Sequence, residues 1–312
     1  MKLIKFILPS LFIGLSLSSC NLDVDDDDNY SNQNFPCCNL VVTEDGDAFA
    51  LSANYTLTFY PFSNQVTVTA QDLNLGGKDL QFTTNNMKAE TKLYNVSWSD
   101  LTLDVTTFDG GSAEGNGVSV RDLNGFTSSV FNLLNTKDPK NPAYPWVSWI
   151  PLVINYKANG CTVKTFSPDA IYRGTTTIAT MGSTDAPFSN DEIRYRIIFN
   201  KELNKADIIF YNAKFADRMP VTINFVLQNL DVTYNDNGYN ITAPAGEPLI
   251  PQLYEASGLT PAPNYQFTSF NFTNTSPDLT VGAATYTVQM GPASYNGTFQ
   301  GYYVLSGPEN NH

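Results

Sequence analysis

Apolar and polar residues alternate with a period of two through much of this chain, and this pattern constrains its fold more than any other feature. Val66-Thr67-Val68-Thr69 and Val221-Thr222-Ile223-Asn224-Phe225 are typical runs, rich in β-branched and aromatic residues. Such alternation places successive side chains on opposite faces of a pleated strand. A similar run over residues 298–304 lies near the end of the chain. The sequence therefore predicts an all-β protein with antiparallel strands.

Turn signals separate these runs. Asn159-Gly160, Asn237-Gly238 and Asn296-Gly297 lie beside alternating segments. An Asn-Gly pair favours a two-residue hairpin turn, because both central positions take a positive φ. One segment, over residues 251–257, instead has the pattern of a short helix. We therefore expect hairpins at the Asn-Gly pairs and one short helix at that segment.

A weak internal repeat divides the chain into two β domains. Residues 55–59 and 66–75, with Asn64 between them, match residues 195–199 and 206–215, with Asn204 between them, at a constant offset. In both places an apolar hairpin leads into an Asn-rich stretch. We therefore predict two antiparallel β domains, an N-terminal one over residues 37–166 and a C-terminal one over residues 167–312.

A second internal sequence similarity has two interpretations. Tyr172-Arg173-Gly174-Thr175 is similar to Tyr295-Asn296-Gly297-Thr298. This similarity is either a further repeat or the first and last strands of one barrel, which become neighbours when a sheet closes.

The C-terminal half has an ordered series of strand patterns. An opening strand over residues 172–178 is followed by a central hairpin over residues 208–223 and by closing strands over residues 286–290 and 295–304. This order resembles the calycin-like lipoproteins of Bacteroides-type bacteria, over roughly residues 168–306. The resemblance implies a lipocalin-type antiparallel barrel as the second domain.

The first residues have the features of an export signal. Lys2 and Lys5 precede an apolar segment over residues 7–17, which is too short to span a bilayer, and Leu17-Ser18-Ser19-Cys20 follows. This arrangement resembles a bacterial lipobox. It implies that residues 1–19 are a signal peptide and that Cys20 is lipidated, anchoring the protein in the outer membrane. An ordinary signal peptide with a chance cysteine is the alternative.

An acidic run follows Cys20. Asp23 and residues 25–28 are aspartates, and polar residues continue to Phe35. Because like charges repel and little apolar surface can be buried, we predict a disordered tether over residues 20–36. The run resembles the surface-export signal of Bacteroidetes-type lipoproteins, which implies that the protein faces the cell exterior. A calcium loop is not favoured, because the run lacks its glycine turn and distal glutamate.

The charge balance bears on partners. The formal net charge of the chain is −13, and loss of two lysines with the signal peptide makes it −15. An acidic surface repels nucleic acid and anionic membrane faces. We therefore expect no nucleic-acid partner, and membrane attachment only through the N-terminal lipid anchor.

Three cysteines remain after Cys20. An exported compartment permits disulfides, so Cys161 is predicted to pair with Cys37 or Cys38. Free buried cysteines are the alternative. The spacing of these cysteines does not match a zinc site, and we predict neither a metal nor a cofactor.

Histidine occurs once, as His312. Its position at the chain end argues against serine–histidine and cysteine–histidine nucleophile pairs and against H-E-x-x-H metal sites. We therefore predict no catalytic residues and no enzyme activity. A glycan hydrolase that uses paired carboxylates is compatible with the sequence, although no motif distinguishes any two of the chain's 30 acidic residues as a catalytic pair.

Aromatic residues supply the candidate ligand contacts. Tyr144, Trp146 and Trp149 lie between prolines, and Tyr302 lies in the closing strands. Aromatic rings on loops stack against sugar rings, and barrel mouths hold apolar or amphipathic ligands. Packing in the core is the alternative for each of these residues.

The sequence thus favours a lipid-anchored, non-catalytic surface protein that binds a lipid-like or glycan ligand. The alternatives are the carboxylate-based hydrolase and a structural or adhesive protein of the fimbrillin type. The second resembles this chain in lipobox, size and β content. Its usual basic cleavage site has no counterpart here, because no Lys or Arg occurs between Cys20 and Lys78.

Overall fold

The computed structural model describes residues 31–60, 65–75, 78–95, 102–109, 111–116, 118–120, 124–132, 153–246, 248–255, 258–277 and 279–305. Within these ranges the regular secondary structure is β-strand, as the alternation predicts. The strands form two antiparallel sheets that follow one another along the chain. Among the described residues, no helix has the length and apolar character needed to cross a membrane.

The first sheet contains β1 (Ser31–Val42), β2 (Ala48–Tyr60), β3 (Gln65–Leu75), β4 (Lys78–Thr84), β5 (Met87–Asn95), β6 (Thr102–Asp109), β7 (Ala113–Gly115), β8 (Val118–Val120), β9 (Asn124–Asn132), β10 (Val153–Ala158) and β11 (Cys161–Phe166).

The second sheet contains β12 (Asp169–Thr180), β13 (Phe188–Asn190), β14 (Arg194–Phe199), β15 (Lys205–Ala213), β16 (Ile223–Asn235), β17 (Gly238–Thr242), β18 (Gln252–Glu255), β19 (Gly258–Pro261), β20 (Tyr265–Asn274), β21 (Val281–Met290) and β22 (Ala293–Leu305).

Eight strands of the second sheet close into an up-and-down antiparallel barrel, the second barrel. Its ring order is β12, β14, β15, β16, β17, β20, β21 and β22, and β22 pairs with β12. Tyr172 and Tyr295 therefore lie on the first and last strands of one barrel, as the second interpretation of their sequence similarity expects. The predicted fold class, all-β with two antiparallel domains and a barrel as the second, is confirmed.

The first sheet follows the same path but is closed less completely. Its ring order is β1, β2, β3, β5, β6, β9, β10 and β11, and β11 pairs with β1. The β3–β5 and β9–β10 contacts each comprise only two residue pairs, whereas β1 and β2 share twelve. In this first barrel, therefore, β1 and β2 are extensively hydrogen-bonded, whereas the β3–β5 and β9–β10 junctions are weak.

The two barrels share a topology strand by strand. In each, a short hairpin lies outside the ring: β7–β8 pairs with β4, which is itself paired with the ring strand β3, and β18–β19 pairs with the ring strand β16. The third strand of each ring has a bulge at the same place. Asp72 in β3 has a φ of 55° and Asn212 in β15 a φ of 56°. The repeat seen in the sequence covers the second and third strands of each ring.

The barrels pack against each other through the second half of β1, where residues 37–41 are buried on both faces. Cys37 and Val41 belong to the core of the first barrel, whereas Cys38 and Leu40 belong to the cluster that includes the second barrel's interior. Because successive residues of a strand point to opposite faces, a continuous apolar run is what a strand between two cores requires.

Three local expectations need correction. The segment predicted as a helix is β18, because pairing with β16 and β19 overrides its local pattern. The first strand begins at Ser31, so its first six residues, 31–36, pair with β2 and lie within the segment predicted as a tether.

The third correction concerns Gly297, which was predicted to form a turn but lies within β22. It faces Tyr286 on β21, and a Cβ atom at this position would lie 2.1 Å from the Tyr286 ring. Glycine is therefore required here by an aromatic ring that crosses it, not by a positive φ. Asn159-Gly160, in contrast, forms the predicted turn, with φ angles of 49° and 73°. The hairpin predicted at Asn237-Gly238 also forms, but its two loop residues are Asp236 and Asn237, and Gly238 pairs with Asn235.

Candidate functional site

Aromatic side chains fill the interior of the second barrel. Phe210 lies at the centre, with ring centroids 4.8 Å from Tyr195, 5.5 Å from Phe267 and 5.6 Å from Tyr286. These four residues are almost completely buried. The interior is thus a packed core, as small barrels generally have.

Phenylalanines also cover both ends of this barrel. At one end Phe166 packs against Phe199 and Tyr239, with centroid distances of 5.3 and 5.4 Å. At the other end Phe215, in the loop after β15, stacks on Phe225 at 5.9 Å. The expected binding of an apolar ligand in a barrel mouth is therefore not favoured by this geometry.

A buried polar group lies at the end that Phe166 covers. The Tyr172 and Tyr239 hydroxyls are 3.0 Å apart, and Asn274 Nδ2 donates to the Tyr172 hydroxyl at 2.7 Å and to the Leu279 carbonyl at 2.6 Å. Burial raises the pKa of Tyr239 to about 12. The hydroxyls stay protonated at neutral pH, so they serve as hydrogen-bonding groups of the core.

The first barrel contains its own buried polar group. The Tyr55 hydroxyl donates to Asn39 Oδ1 at 2.9 Å and lies 2.8 Å from the Tyr156 hydroxyl. Asn39 is fully buried, and its Nδ2 has no hydrogen-bond partner among the described residues.

Strand register gives each of these residues an equivalent in the second barrel. Tyr195, Thr176 and Tyr286 occupy the positions of Tyr55, Asn39 and Tyr156 on the second, first and seventh strands of the ring. The Thr176 hydroxyl lies 3.1 Å from the Tyr195 hydroxyl. The repeated position on two rings identifies this group as part of the architecture that the two barrels share.

The predicted disulfide does not form. Cys37, Cys38 and Cys161 are free thiols. The β1–β11 register pairs Cys38 with Phe166 and Val42 with Thr162, so Cys161 lies beyond the far end of the ladder from Cys38. Five residues of strand span about 16 Å, whereas a disulfide needs Cα atoms closer than about 7 Å.

The thiols are also poorly suited to reaction. Burial raises the pKa of Cys38 to about 12, and it raises the pKa of Cys37 further, with the neighbouring Cys38 adding to the effect. Because the thiolate is the reactive form, these residues behave as apolar core groups at neutral pH.

The outer face of the second barrel has a different character. Tyr302 on β22 points outward and is 48% exposed. Its cross-strand neighbours are Val281 on β21, which is 42% exposed, and Arg173 on β12. On the next strand of the sheet, β14, Arg194 lies opposite Arg173. These four residues form one row across four strands, which we term the arginine–tyrosine row.

Electrostatic interactions link the members of this row. Burial lowers the pKa of the Arg173 guanidinium, and the charge of Arg194 lowers it further. Tyr302 and the exposed carboxylates of Asp191 and Glu192 act in the opposite direction. Two positive side chains in register, beside an exposed aromatic ring, can hold an anionic group while the ring supports an apolar surface.

The structure describes only part of the predicted site. Tyr302 is exposed on the barrel's outer face, and its neighbour Tyr303 points inward, with its ring 5.8 Å from Tyr172. Cys20, Tyr144, Trp146, Trp149 and His312 lie outside the described residues.

Sequence reasoning missed Arg173 and Arg194. They are 21 positions apart and belong to unremarkable alternating runs. Only the strand register brings them together, and the pairing of β12 with both β14 and β22 is what aligns them with Tyr302.

Comparison with known proteins adds no family. No protein-family model matches the chain, and no curated protein is significantly similar to it. Within the part of the chain that the structure describes, no group of three or more His, Cys, Asp or Glu side chains is placed to hold a metal ion.

Proposed function

We propose that this protein is a lipid-anchored, non-catalytic carbohydrate-binding protein of the bacterial outer membrane, facing the cell exterior. The observation that carries the proposal is Tyr302, a large aromatic ring that is 48% exposed on a regular strand. Aromatic residues are enriched at interaction surfaces, and Tyr302 lies beside the exposed Val281 and the polar Arg173. The C–H face of a sugar ring packs on such a ring while its hydroxyls reach polar side chains.

The surroundings of Tyr302 support a sugar better than a lipid. Gln300 and Thr175 are paired across β22 and β12, two residues along from Tyr302 and Arg173, and both are exposed. They offer hydroxyl and amide groups for hydrogen bonds. The packed interior of the second barrel supports the same choice, because a lipid chain would require a cavity there.

A binding assay with a matched control tests the ligand. We expect the mature chain, with Cys20 replaced by serine, to bind members of a glycan array. Tyr302→Ala should weaken that binding at least about tenfold, a loss typical of a central aromatic contact. Met181→Ala, which removes another exposed apolar side chain (54%), should leave it unchanged. Absence of binding to any glycan would contradict the proposal.

The anchor has its own test. Cys20→Ser should abolish incorporation of labelled fatty acid and release the protein from the membrane fraction, because a thiol is needed for lipid attachment. A wild-type chain that takes up no label would refute the anchor but not the carbohydrate site.

A further inference from the structure

We propose that the arginine–tyrosine row binds the charged group of an acidic saccharide, so that Arg173 and Arg194 hold a carboxylate or sulfate while Tyr302 packs against the same sugar ring. This inference rests on the proposed carbohydrate-binding function and names its ligand class. It assigns a role to two residues that stand outside both buried polar groups and outside the packed core.

The geometry of the row fits such a ligand. Residues directly opposite on antiparallel strands have Cβ atoms about 4.5–5.5 Å apart, so Arg194, Arg173 and Tyr302 lie side by side across three neighbouring strands. Both arginines are half-buried, and long basic side chains generally pack their apolar stems on a sheet while the charged group stays in contact with water.

Arginine is suited to this task by its chemistry. Its planar guanidinium forms paired hydrogen bonds with carboxylate or sulfate oxygens, and it keeps its charge throughout the physiological range. The mature chain has a net charge of −15, so its surface as a whole repels anions. An anionic ligand therefore needs positive groups in direct contact with it, and Arg173 and Arg194 supply two, with Asp191 and Glu192 balancing part of their charge.

The two arginines of the row also repel each other, and a bound anion would reduce that repulsion. Like charges directly opposite each other on neighbouring strands destabilise a sheet. The exposed carboxylates of Asp191 and Glu192, on the turn before β14, offset part of this repulsion at Arg173. A bound anion between the two guanidinium groups would offset more of it.

The first barrel provides an internal comparison. By strand register, the positions equivalent to Arg173 and Arg194 are Pro36 on β1 and Asn54 on β2, which also pair with each other. The repeated architecture is thus compatible with uncharged residues at both positions. The arginine pair is a property of the second barrel and is not required by its topology.

Calorimetric titration of the mature chain, with Cys20 replaced by serine, tests the inference. The probes are an oligogalacturonide, a chondroitin sulfate oligosaccharide, a neutral cello-oligosaccharide and polyglutamate. We expect tightest binding to one of the two acidic saccharides. Arg173→Gln and Arg194→Gln should each weaken it at least about tenfold, and added salt should weaken it as well. Arg218→Gln, an exposed arginine elsewhere, is the matched control.

The outcomes are distinguishable. If the oligogalacturonide and the sulfated probe both bind, their ratio identifies the preferred anion and supports the inference. Equal binding of the neutral saccharide, unaffected by Arg173→Gln, overturns the inference and leaves the carbohydrate function standing. Equal binding of polyglutamate overturns the saccharide assignment, and binding of no saccharide overturns both. Thermal unfolding checks that each variant is folded; removal of one like charge should not lower the melting temperature.

Discussion

Single residues in this protein are constrained by the ring that faces them across the sheet. Gly297 and Tyr286 are the clearest pair, because the glycine leaves the space in which the tyrosine ring lies. An aromatic side chain that covers a cross-strand glycine shields the backbone there from water. Any residue larger than glycine at such a position would displace the aromatic ring.

Gly297→Ala should therefore destabilise the protein. The added Cβ would lie 2.1 Å from the Tyr286 ring, so the ring must move within a packed core. We expect a loss of about 1–3 kcal/mol in the free energy of unfolding, measured by urea denaturation. Gln300→Ala, at an exposed position of the same strand, should change it by less than about 0.5 kcal/mol. Equal effects of the two substitutions would contradict this packing argument.

Asn39 and Thr176 allow a reciprocal test of the equivalent polar groups. Asn39→Thr keeps an oxygen for the Tyr55 hydroxyl and removes the unpartnered amide, so stability should be unchanged within about 0.5 kcal/mol or should rise. Thr176→Asn buries an amide beside Tyr195 and should lower the free energy of unfolding by about 1–3 kcal/mol. Thermal and urea unfolding measure both. The opposite ranking would show that the positions are not equivalent.

Residue-level patterns predicted some features of the protein and missed others for a definable reason. Asn159-Gly160 was predicted correctly because a hairpin turn depends on the φ angles of its own two residues. Gly297 was predicted wrongly because its reason lies on another strand. Tyr302 was singled out from the sequence and is exposed, whereas its neighbours Arg173 and Arg194 are brought beside it only by the strand register.

At the scale of strands, local preference gave way to pairing. β18 lies in the segment predicted as a helix, and edge pairing with β16 makes it a strand. The repeat was visible only where β2 and β3 match β14 and β15. Elsewhere loop lengths differ between the barrels, so the constant offset is lost although the ring order is kept.

Phe166, at the end of β11, links the two barrels and gives a prediction at this scale. Its ring packs on Phe199, Tyr234 and Tyr239 of the second barrel. Phe166→Ala should lower the free energy of unfolding by about 3–5 kcal/mol and separate the unfolding of the two barrels into two calorimetric transitions.

Phe188→Ala serves as the control, because this ring is only partly buried and lies on the short strand β13. We expect a smaller loss for it and a single transition. Two transitions in the unmodified protein would show that Phe166 does not couple the barrels.

For the molecule as a whole, the buried tyrosines set its behaviour at high pH. Burial raises the pKa of Tyr195 and of Tyr239 from 10 to about 12, and it raises those of Tyr55, Tyr172 and Tyr286 as well. The neutral hydroxyl is therefore favoured in the folded state. This contribution to stability is complete below pH 10, where folded and unfolded chains are both protonated, and it is lost as the pH rises towards 12.

We accordingly expect the free energy of unfolding to fall above pH 10 by about 1.4 kcal/mol per pH unit for each buried tyrosine. Circular dichroism should show cooperative loss of β structure, and the phenolate absorbance of the buried tyrosines should appear together with it. Ionisation of those tyrosines well before unfolding would contradict their burial. Tyr195→Phe should reduce the steepness of the decline.

The position of β1 between the two barrels has a mechanical consequence. Any pull on the chain before Ser31 enters the protein through this strand, which is hydrogen-bonded to β2 along its full length and to β11 over its second half. Because the load runs along the strand axis, these bonds are loaded in shear and resist together rather than one after another. In a protein held at its N-terminus against flow, the strand that first bears the load would thus be one that is hydrogen-bonded on both edges and packed between both barrels.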